Sequence, residues 1–261
     1  ARGVYHNKAR EGMNIGRTGG PESTLFIWLN EEDHLRVVSM QQGDMMLEVY
    51  QRWAAALEKL QVAMQKNGID FMHDPLFGWV LTCPSNLGTG MRAGTQIMAK
   101  GLKDFVVAQI GHQFPSADKA WQAFCSTLSL QFRNAGGVDA KHDKGIYDIS
   151  NSDRCGKKES EIVVTVFDGV SQLIKWQMHL DRKVAKKVAA GAEAPTSTEF
   201  EDQKSVDRLA KFTEWYNKVG DDEFEAIVGT DAEVEAQFGM IFKAVGEKRK
   251  YVEVLAEEAR L

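Results

Sequence analysis

Apolar side chains recur at spacings of three and four in several stretches of the chain, the pattern that one face of an amphipathic helix produces. The first predicted helix covers residues 46–64, and a long one covers 158–180. Two more follow near the end of the chain, the first capped by Ser205 and the second opened by a capping box at residues 230–233. The four apolar stripes are Met46, Val49, Tyr50, Trp53, Leu57, Leu60 and Met64; Ile162, Val166, Val170, Leu173 and Ile174; Val206, Leu209, Phe212, Tyr216 and Val219; and Val234, Phe238, Ile241, Phe242 and Val245.

Short runs of branched and aromatic residues, bounded by turn residues, predict β-strands between these helices. The runs cover residues 25–29, 36–40, 79–82, 91–98, 128–132 and 146–149, and a shorter helix is predicted over 117–124. Strands and helices do not alternate regularly along the chain. This order favours an α+β domain with a largely antiparallel sheet flanked by helices, followed by a C-terminal helical tail.

The composition changes at residues 183–202, which are rich in Ala, Gly, Lys, Thr and Glu and contain few large apolar residues. We interpret this segment as a linker. The predicted organisation is therefore a main domain over 1–182, a linker over 183–202 and a helical extension over 203–261. The helices of the extension are expected to pack against each other or the main domain, and a homo-oligomer or a larger protein assembly held through the tail is the alternative.

Charge and composition narrow the class of function. The net charge of -5 argues against nucleic acid as the main partner, because nucleic-acid binders usually carry a basic face. No apolar run is long enough for a membrane span. The three cysteines lack metal-ligand spacing, so no protein-held metal is expected and a reducing compartment is favoured. We expect a cytoplasmic protein and leave a mitochondrial or ciliary location open.

The first candidate for chemistry is an acidic turn, Asn30-Glu31-Glu32-Asp33-His34-Leu35-Arg36, between two predicted strands. Consecutive carboxylates are costly to bury, so they should face solvent or a cationic ligand. A carboxylate pair matches a planar guanidinium and can take a proton from it. For an isolated acidic run, a solvated turn is the simpler interpretation.

Two glycine-containing segments are the other candidates. Residues 81–94 place Cys83 at a strand end, ahead of a tight turn and an arginine, and Ser85 could donate a hydrogen bond to a Cys83 thiolate. Arg133 opens a flexible loop that continues through two glycines and is suited to closing over phosphates. Taken singly, these segments are equally consistent with an inert core cysteine and an ordinary surface loop.

Together and in this order, the segments 1–6, 28–36, 81–94 and 147–151 resemble the phosphagen kinases, the ATP:guanidino phosphotransferases that include creatine kinase and arginine kinase. The resemblance runs from the start of the chain to about residue 180. It implies a glutamine synthetase-like catalytic domain, present as its C-terminal part over 1–182. It also implies transfer of the γ-phosphoryl group between Mg-ATP and a small guanidino acceptor. The loop 136–139, Gly-Gly-Val-Asp, favours creatine.

The resemblance assigns roles to individual residues. Glu32 would orient the guanidinium and accept its proton, Glu31 would support Glu32, and Cys83 would be a reactive thiolate beside the guanidinium. The cofactor would be ATP or ADP, with Mg²⁺ carried by the nucleotide. The nucleotide-binding residues implied are Arg36, Arg92, Arg133, Asn134, Ala135, Gly136, Gly137, Val138 and Asp148.

Departures from the family pattern leave alternatives. Gln96 stands where the family usually has histidine, and Asn134 and Ala135 stand where it has glycine and threonine. Residues 7–22 look like an insertion. The family's catalytic domain begins upstream of Ala1 with further arginines, so the 261-residue chain is expected to be a weak catalyst or none. A kinase-derived scaffolding subunit is the second hypothesis. A bacterial-type protein-arginine kinase is the third, but the Cys83 segment is closer to the metabolite kinases.

Overall fold

A computed structural model describes residues 3–6, 24–30, 32–134, 145–193 and 203–258. The chain divides into two compact units. The first comprises Ala1–Arg92 with Asp153–Val164, and the second comprises Ala93–Ser152 with Thr165–Leu261. Each unit combines antiparallel strands with helices, which confirms the α+β class.

The first unit contains a three-stranded antiparallel sheet of β1 (Gly3–His6), β2 (Leu25–Leu29) and β3 (Leu35–Ser39), in that order. Helix α1 (Met46–Gln65) follows, and then β4 (His73–Asp74) pairs with β5 (Gly78–Trp79). The predicted helix is confirmed, but none of its residues is buried, so its apolar stripe is only half covered. The predicted strand over 79–82 is shorter and ends at Trp79, although Val80 N still donates a 3.0 Å hydrogen bond to the Met72 carbonyl.

The second unit contains the sheet of β6 (Gly94–Met98), β7 (Leu130–Asn134) and β8 (Ile146–Asn151), with β8 in the centre and both pairs antiparallel. Its helices are α2 (Lys100–Ile110), α3 (Ala117–Ser126), α4 (Glu159–Ala189, which begins in the first unit), α5 (Gln203–Val228) and α6 (Asp231–Glu258). Within the described residues, the strands thus form three small sheets where a single larger one was predicted.

The core of the second unit is an aromatic cluster shared by α3, α4 and α6. Phe124 of α3 and Trp176 of α4 lie 5.4 Å apart between ring centres, and Trp176 lies 5.3 Å from Phe238 of α6. The indole nitrogen of Trp176 donates a 2.8 Å hydrogen bond to Gln237, so its polar atom is satisfied inside the cluster. The apolar face of the last helix is therefore used within this unit.

Helix α4 continues to Ala189, so the first seven residues of the predicted linker are helical. Ala185 in this stretch is buried, and polar side chains near it contact the following helices. Lys183 pairs with Glu235 at 2.8 Å, and Lys186 pairs with Asp221 at 2.8 Å. Residues 194–202 lie outside the described part of the chain. On the same helix Ile174, predicted to face the sheet, is 44% exposed.

The ends of α5 and α6 follow local rules only in part. The capping box at the start of α6 is confirmed, because Thr230 N donates to Glu233 at 2.9 Å and Glu233 N donates to Thr230 Oγ1 at 3.3 Å. Ser205 is not the cap of α5, since the helix begins at Gln203 and Ser205 is buried inside its first turn. Helix α5 bends at Gly220, whose φ is +80°.

Two sets of arginine–carboxylate contacts, each with one buried member, connect α4 to the helical extension. Arg182 is 1% exposed and contacts Glu225 at 3.2 Å, Asp231 and the face of Phe224. Burial works against ionisation of Asp231, but the hydrogen bond and charge of Arg182 outweigh it and hold the pKa of this carboxyl below its usual value.

The second pair reaches across to α2. Both terminal nitrogens of Arg208, on α5, donate hydrogen bonds to the buried carboxylate of Asp181, and one of these bonds is 2.9 Å long. Gln177 donates to the same carboxylate at 2.9 Å and accepts a 2.7 Å hydrogen bond from the backbone nitrogen of Leu102, in the first turn of α2. The extension is thereby hydrogen-bonded, through two α4 side chains, to the helix that follows β6.

His179 gives this packing a pH dependence that can be measured. It is 1% exposed, neither ring nitrogen makes a hydrogen bond, and Nδ1 lies 3.2 Å from Asp231 without hydrogen-bond geometry. Burial, then Lys183 and Arg182 on its own helix, lower the pKa of His179, while Asp231 and Glu235 of α6 oppose the shift. Because the unfolded chain binds this proton more readily, stability is complete above the ordinary value of 6.5 and falls as pH drops toward the depressed folded pKa.

We therefore expect His179→Leu to remove part of the acid sensitivity of the fold. Urea unfolding at pH 7.5 and 5.5 should show a drop in unfolding free energy for the parent chain and a smaller drop for the variant. The loss from this one group has a ceiling of about 1.4 kcal/mol per pH unit. Asp231 does not interfere, because its pKa is lowered and the stability it contributes is kept until the pH falls below its ordinary value of 3.8. Equal drops in both chains would show that His179 titrates as it does in the unfolded state.

Candidate active site

The acidic turn connects β2 and β3 in the first unit. Asn30 closes the hairpin by donating a 2.9 Å backbone hydrogen bond to His34, and its φ is +55°. Asparagine tolerates this left-handed conformation better than most residues, which explains its place at the start of the turn. Glu31, predicted to support the catalytic carboxylate, lies outside the described residues.

Glu32 and Arg36, two of the predicted site residues, contact each other. Arg36 Nη2 donates to Glu32 Oε2 at 2.8 Å, and Arg36 Nε donates to Asp33 Oδ2 at 3.3 Å. The Glu32 side chain is 51% exposed, so it is accessible to a ligand. A carboxylate in this position, already holding one guanidinium, has the geometry and charge to hold another.

Asp33 was not singled out from the sequence, yet it is the buried member of the turn at 5% exposure. Its Oδ1 accepts a 3.1 Å hydrogen bond from the backbone nitrogen of Thr82, the residue before Cys83. Asp33 thus ties the acidic turn to the cysteine segment, 49 residues further along the chain. No local sequence signal distinguishes it from its two acidic neighbours, because its role depends on a contact distant in sequence.

Cys83 lies at the start of a short 3-10 turn, Pro84–Asn86, and is partly buried. Its Sγ lies 3.0 Å from Ser85 Oγ, as the sequence predicted. The other two thiols differ from it in environment. Burial raises the pKa of the Cys125 thiol far above its ordinary value, which makes it inert, and Cys155 is exposed.

Glycines shape the segment between Cys83 and Arg92. At Gly78 a Cβ would lie 2.8 Å from the Gly88 Cα, so the two backbones cross in contact. Arg92 follows this crossing and is exposed. The glycines therefore serve close backbone packing here, in addition to any approach to an anion.

Gly88→Ala is expected to disturb this segment more than a glycine replacement in open space. The added Cβ would lie 2.4 Å from the carbonyl oxygen of Arg154 and 2.5 Å from the Cα of Cys155. Gly43 is a matched control, because its φ of +94° is close to the +99° of Gly88 but nothing lies within 4 Å of its Cβ position. Urea unfolding should show that Gly88→Ala costs about 1–3 kcal/mol more than Gly43→Ala, the usual cost of overpacking. Equal losses of unfolding free energy in the two variants would mean that the backbone around Gly88 shifts to accommodate the added methyl group at no cost.

The second unit carries the predicted nucleotide-binding residues of β7 and β8. Arg133 pairs with Asp148, and Asp148 pairs with Gln96 on β6. Residues directly opposite one another on neighbouring strands project from the same face, so these three form a row across the sheet. Arg133 is exposed and Asp148 is half-buried.

The predicted phosphate loop starts at the end of β7. The backbone of Asn134 pairs with Tyr147, whereas Ala135, Gly136, Gly137 and Val138 lie outside the described residues.

Within the described ranges, no group of three or more His, Cys, Asp and Glu side chains could hold a metal ion. None of the helices in those ranges is long and apolar enough to cross a membrane.

Comparison with known proteins extends these observations. A solved structure of lombricine kinase shares 36% sequence identity and a TM-score of 0.51, covering 61% of this chain and 40% of its own. The duplicated taurocyamine kinase from Schistosoma mansoni, solved with bound transition-state-analogue components and also substrate-free, shares 28% identity and a TM-score of 0.51. That match covers 74% of this chain and 22% of the relative. The chain therefore spans less than half the length of these relatives.

A family model described as ATP:guanido phosphotransferase, C-terminal catalytic domain, matches residues 14–179. All the predicted site residues fall inside this range, while α5 and α6 lie beyond it. This chain belongs to the ATP:guanido phosphotransferase, or phosphagen kinase, family.

Proposed function

We propose that the protein containing this chain transfers the γ-phosphoryl group of Mg-ATP to a small guanidino acceptor. The observation that carries the proposal is the family match over residues 14–179, which includes the acidic turn, the Cys83 segment and the row of β7 and β8. The reaction demands little covalent chemistry from the protein. It requires the acceptor to be held in line and the charge on the phosphates to be neutralised.

On the acceptor side, we assign Glu32 as the residue that orients the guanidinium. As an acceptor nitrogen bonds to the γ-phosphorus, the bond from that phosphorus to the β–γ bridging oxygen breaks and ADP leaves with the electron pair. The proton lost by the nitrogen passes to the Glu32 carboxylate. The 2.8 Å contact between Glu32 and the Arg36 guanidinium supports this assignment, because it is the type of pairing that the acceptor would make. Glu31 and Cys83 are proposed neighbours of the acceptor.

On the nucleotide side, we assign Arg36, Arg92 and Arg133 to the phosphates and Asp148 to contacts with the nucleotide. Guanidinium groups remain charged and offer two parallel donors to phosphate oxygens, which suits them to this role. Mg²⁺ enters as part of the nucleotide substrate. The segment from Asn134 to Val138 is proposed to close over the phosphates.

The identity of the acceptor is a separate proposal. The Gly-Gly-Val-Asp sequence of residues 136–139 favours creatine, whereas two similar solved structures belong to kinases of lombricine and taurocyamine. All three compounds carry a guanidino group and differ in the remainder of the molecule. We propose creatine as the acceptor and expect the comparison below to decide among them.

The test is a measurement of ADP formation by the full-length protein with Mg-ATP and each of creatine, lombricine, taurocyamine and arginine. We expect acceptor-dependent turnover, with the highest kcat/KM for creatine. A higher kcat/KM for another acceptor would support the proposed reaction but show that creatine is not the preferred substrate. Absence of turnover with every acceptor, in protein that binds Mg-ADP, would contradict the proposed function and favour a scaffolding role, which the comparisons do not support.

A further inference from the structure

We infer that Arg154 is a positioning residue for Cys83, acting through Ser85. The significance of this role for phosphoryl transfer rests on the proposed function, in which Cys83 lies beside the acceptor. The contacts that carry the inference belong to the first unit. They can be tested through the chemistry of the thiol without nucleotide or acceptor.

Arg154 lies in the segment between β8 and α4 and is 8% exposed. A guanidinium is rarely buried to this extent unless acceptors surround it, because loss of hydration is costly. One of its donors, Nη1, makes a 2.9 Å hydrogen bond to the backbone carbonyl of Ser85. One donor of the buried guanidinium is therefore directed at the short turn that begins at Cys83.

Ser85 links Arg154 to the Cys83 thiol. Its carbonyl receives the Arg154 hydrogen bond, while its hydroxyl lies 3.0 Å from Cys83 Sγ. The turn itself is closed by a 2.9 Å hydrogen bond from Asn86 N to the Cys83 carbonyl. Since the carbonyl and hydroxyl belong to one residue in a closed turn, fixing the first restricts where the second can point.

The backbone of Arg154 secures the other end of the same segment. Its carbonyl oxygen accepts a 3.2 Å hydrogen bond from Thr89 N, and Gly88 packs against it so closely that a Cβ would lie 2.4 Å away. On the opposite side, Asp33 holds Thr82 N at 3.1 Å. Cys83 thus lies between fixed points at residues 82 and 85, one held by a buried carboxylate and the other by a buried guanidinium.

The consequence is a preset geometry for the pair of Cys83 Sγ and Ser85 Oγ. A serine hydroxyl that donates to a thiolate stabilises the reactive form of the cysteine. Without the Arg154 anchor, the Ser85 carbonyl is free to turn toward water and the hydroxyl leaves the sulfur. Arg154 should therefore influence the reactivity of Cys83 only while Ser85 carries its hydroxyl.

The experiment measures the rate of alkylation of Cys83 by iodoacetamide at pH 7.5, followed by mass spectrometry. All variants carry Cys155→Ser, because the exposed Cys155 thiol would compete, whereas Cys125 is buried. Arg154→Gln and Ser85→Ala should each slow alkylation roughly threefold to tenfold, the effect of one ordinary hydrogen bond. The double variant should be no slower than Ser85→Ala alone.

Arg52→Gln provides a matched control within the same unit. Arg52 is half-buried and donates to Ser39 Oγ at 3.2 Å and to Gln41 Oε1 at 2.5 Å, and both partners lie outside the Cys83 segment. Its replacement should leave the alkylation rate of Cys83 unchanged. Arg154→Lys, which keeps the charge, replaces Arg154→Gln if the latter fails to fold, and the same criterion applies.

An unchanged rate in the Arg154 variant would overturn the inference, and so would slowing by equal factors with and without the Ser85 hydroxyl. The latter result would show that Arg154 acts on the fold in general and not through Ser85. Failure of the proposed function would look different, because it would appear as absent turnover with every guanidino acceptor while the alkylation cycle remained intact.

Discussion

Glu32→Gln is expected to reduce guanidino phosphorylation by the full-length protein roughly 100- to 10,000-fold, the range for loss of a positioned general base. The amide has nearly the same shape but cannot accept the proton, and it offers no charge to the acceptor guanidinium. Because Arg36 retains its 3.3 Å contact with Asp33, the turn should keep its structure. The loss should therefore appear mainly in kcat, with little change in thermal stability.

Glu58→Gln is the control for this variant, since Glu58 is an exposed carboxylate of α1 in the same unit. Glu58→Gln changes the net charge of the protein by the same amount as Glu32→Gln and should leave turnover unaltered. Initial rates of ADP formation at saturating Mg-ATP and varied acceptor provide the measurement. Turnover by Glu32→Gln equal to that of Glu58→Gln would assign the catalytic carboxylate to another residue.

Arg208→Met is expected to destabilise the second unit by about 3–5 kcal/mol, the cost of leaving a buried charge without its partner. Asp181 is 5% exposed at its side chain, and after the substitution the Gln177 amide would still donate to it at 2.9 Å. Methionine preserves most of the apolar stem of the arginine. The measurement is urea unfolding followed by far-UV circular dichroism.

Lys218→Met, on the same helix, is the control that shows how much stability is lost when an exposed ion pair is removed. Lys218 contacts Glu214 at 2.8 Å, but both side chains are 71% exposed, so the expected cost is about 0.5 kcal/mol or less. The double variant Arg208→Met with Asp181→Leu removes both charges and should regain part of the lost stability. Similar costs for Arg208→Met and Lys218→Met would show that the Asp181 pair is hydrated and contributes little.

The spacing of apolar residues was sufficient to predict a helix or strand where one face of that element packs against a core. The predicted helix over 117–124 is present as Ala117–Ser126, and the hairpin strand Leu25–Leu29 has its predicted bounds. Helix α2 was missed although Leu102, Val106 and Ile110 are buried at helical spacing. Gly101 in its first turn and the preceding strand pattern obscured that signal.

Polar contacts between distant residues were beyond prediction. In the extension of α4 to Ala189, Lys183 contacts a carboxylate of α6 and Lys186 contacts one of α5. Composition alone made this segment resemble a linker. The roles of Asp33 and Arg154 likewise depend on partners 49 and 69 residues away. The family, by contrast, was recognisable from short motifs, because phosphate and guanidinium chemistry restricts which residue types can serve.

We propose above all that Glu32 holds the acceptor guanidinium, whereas Arg133 contacts the phosphates of the nucleotide. Calorimetric titration of Mg-ADP into the Arg133→Gln and Glu32→Gln variants of the full-length protein tests it most directly. We predict that Arg133→Gln raises the Kd for Mg-ADP roughly tenfold or more, about 1.4 kcal/mol for a lost charge-assisted contact, while Glu32→Gln leaves this Kd within about twofold. An unchanged Kd in Arg133→Gln, or a greater weakening in Glu32→Gln, would contradict the account.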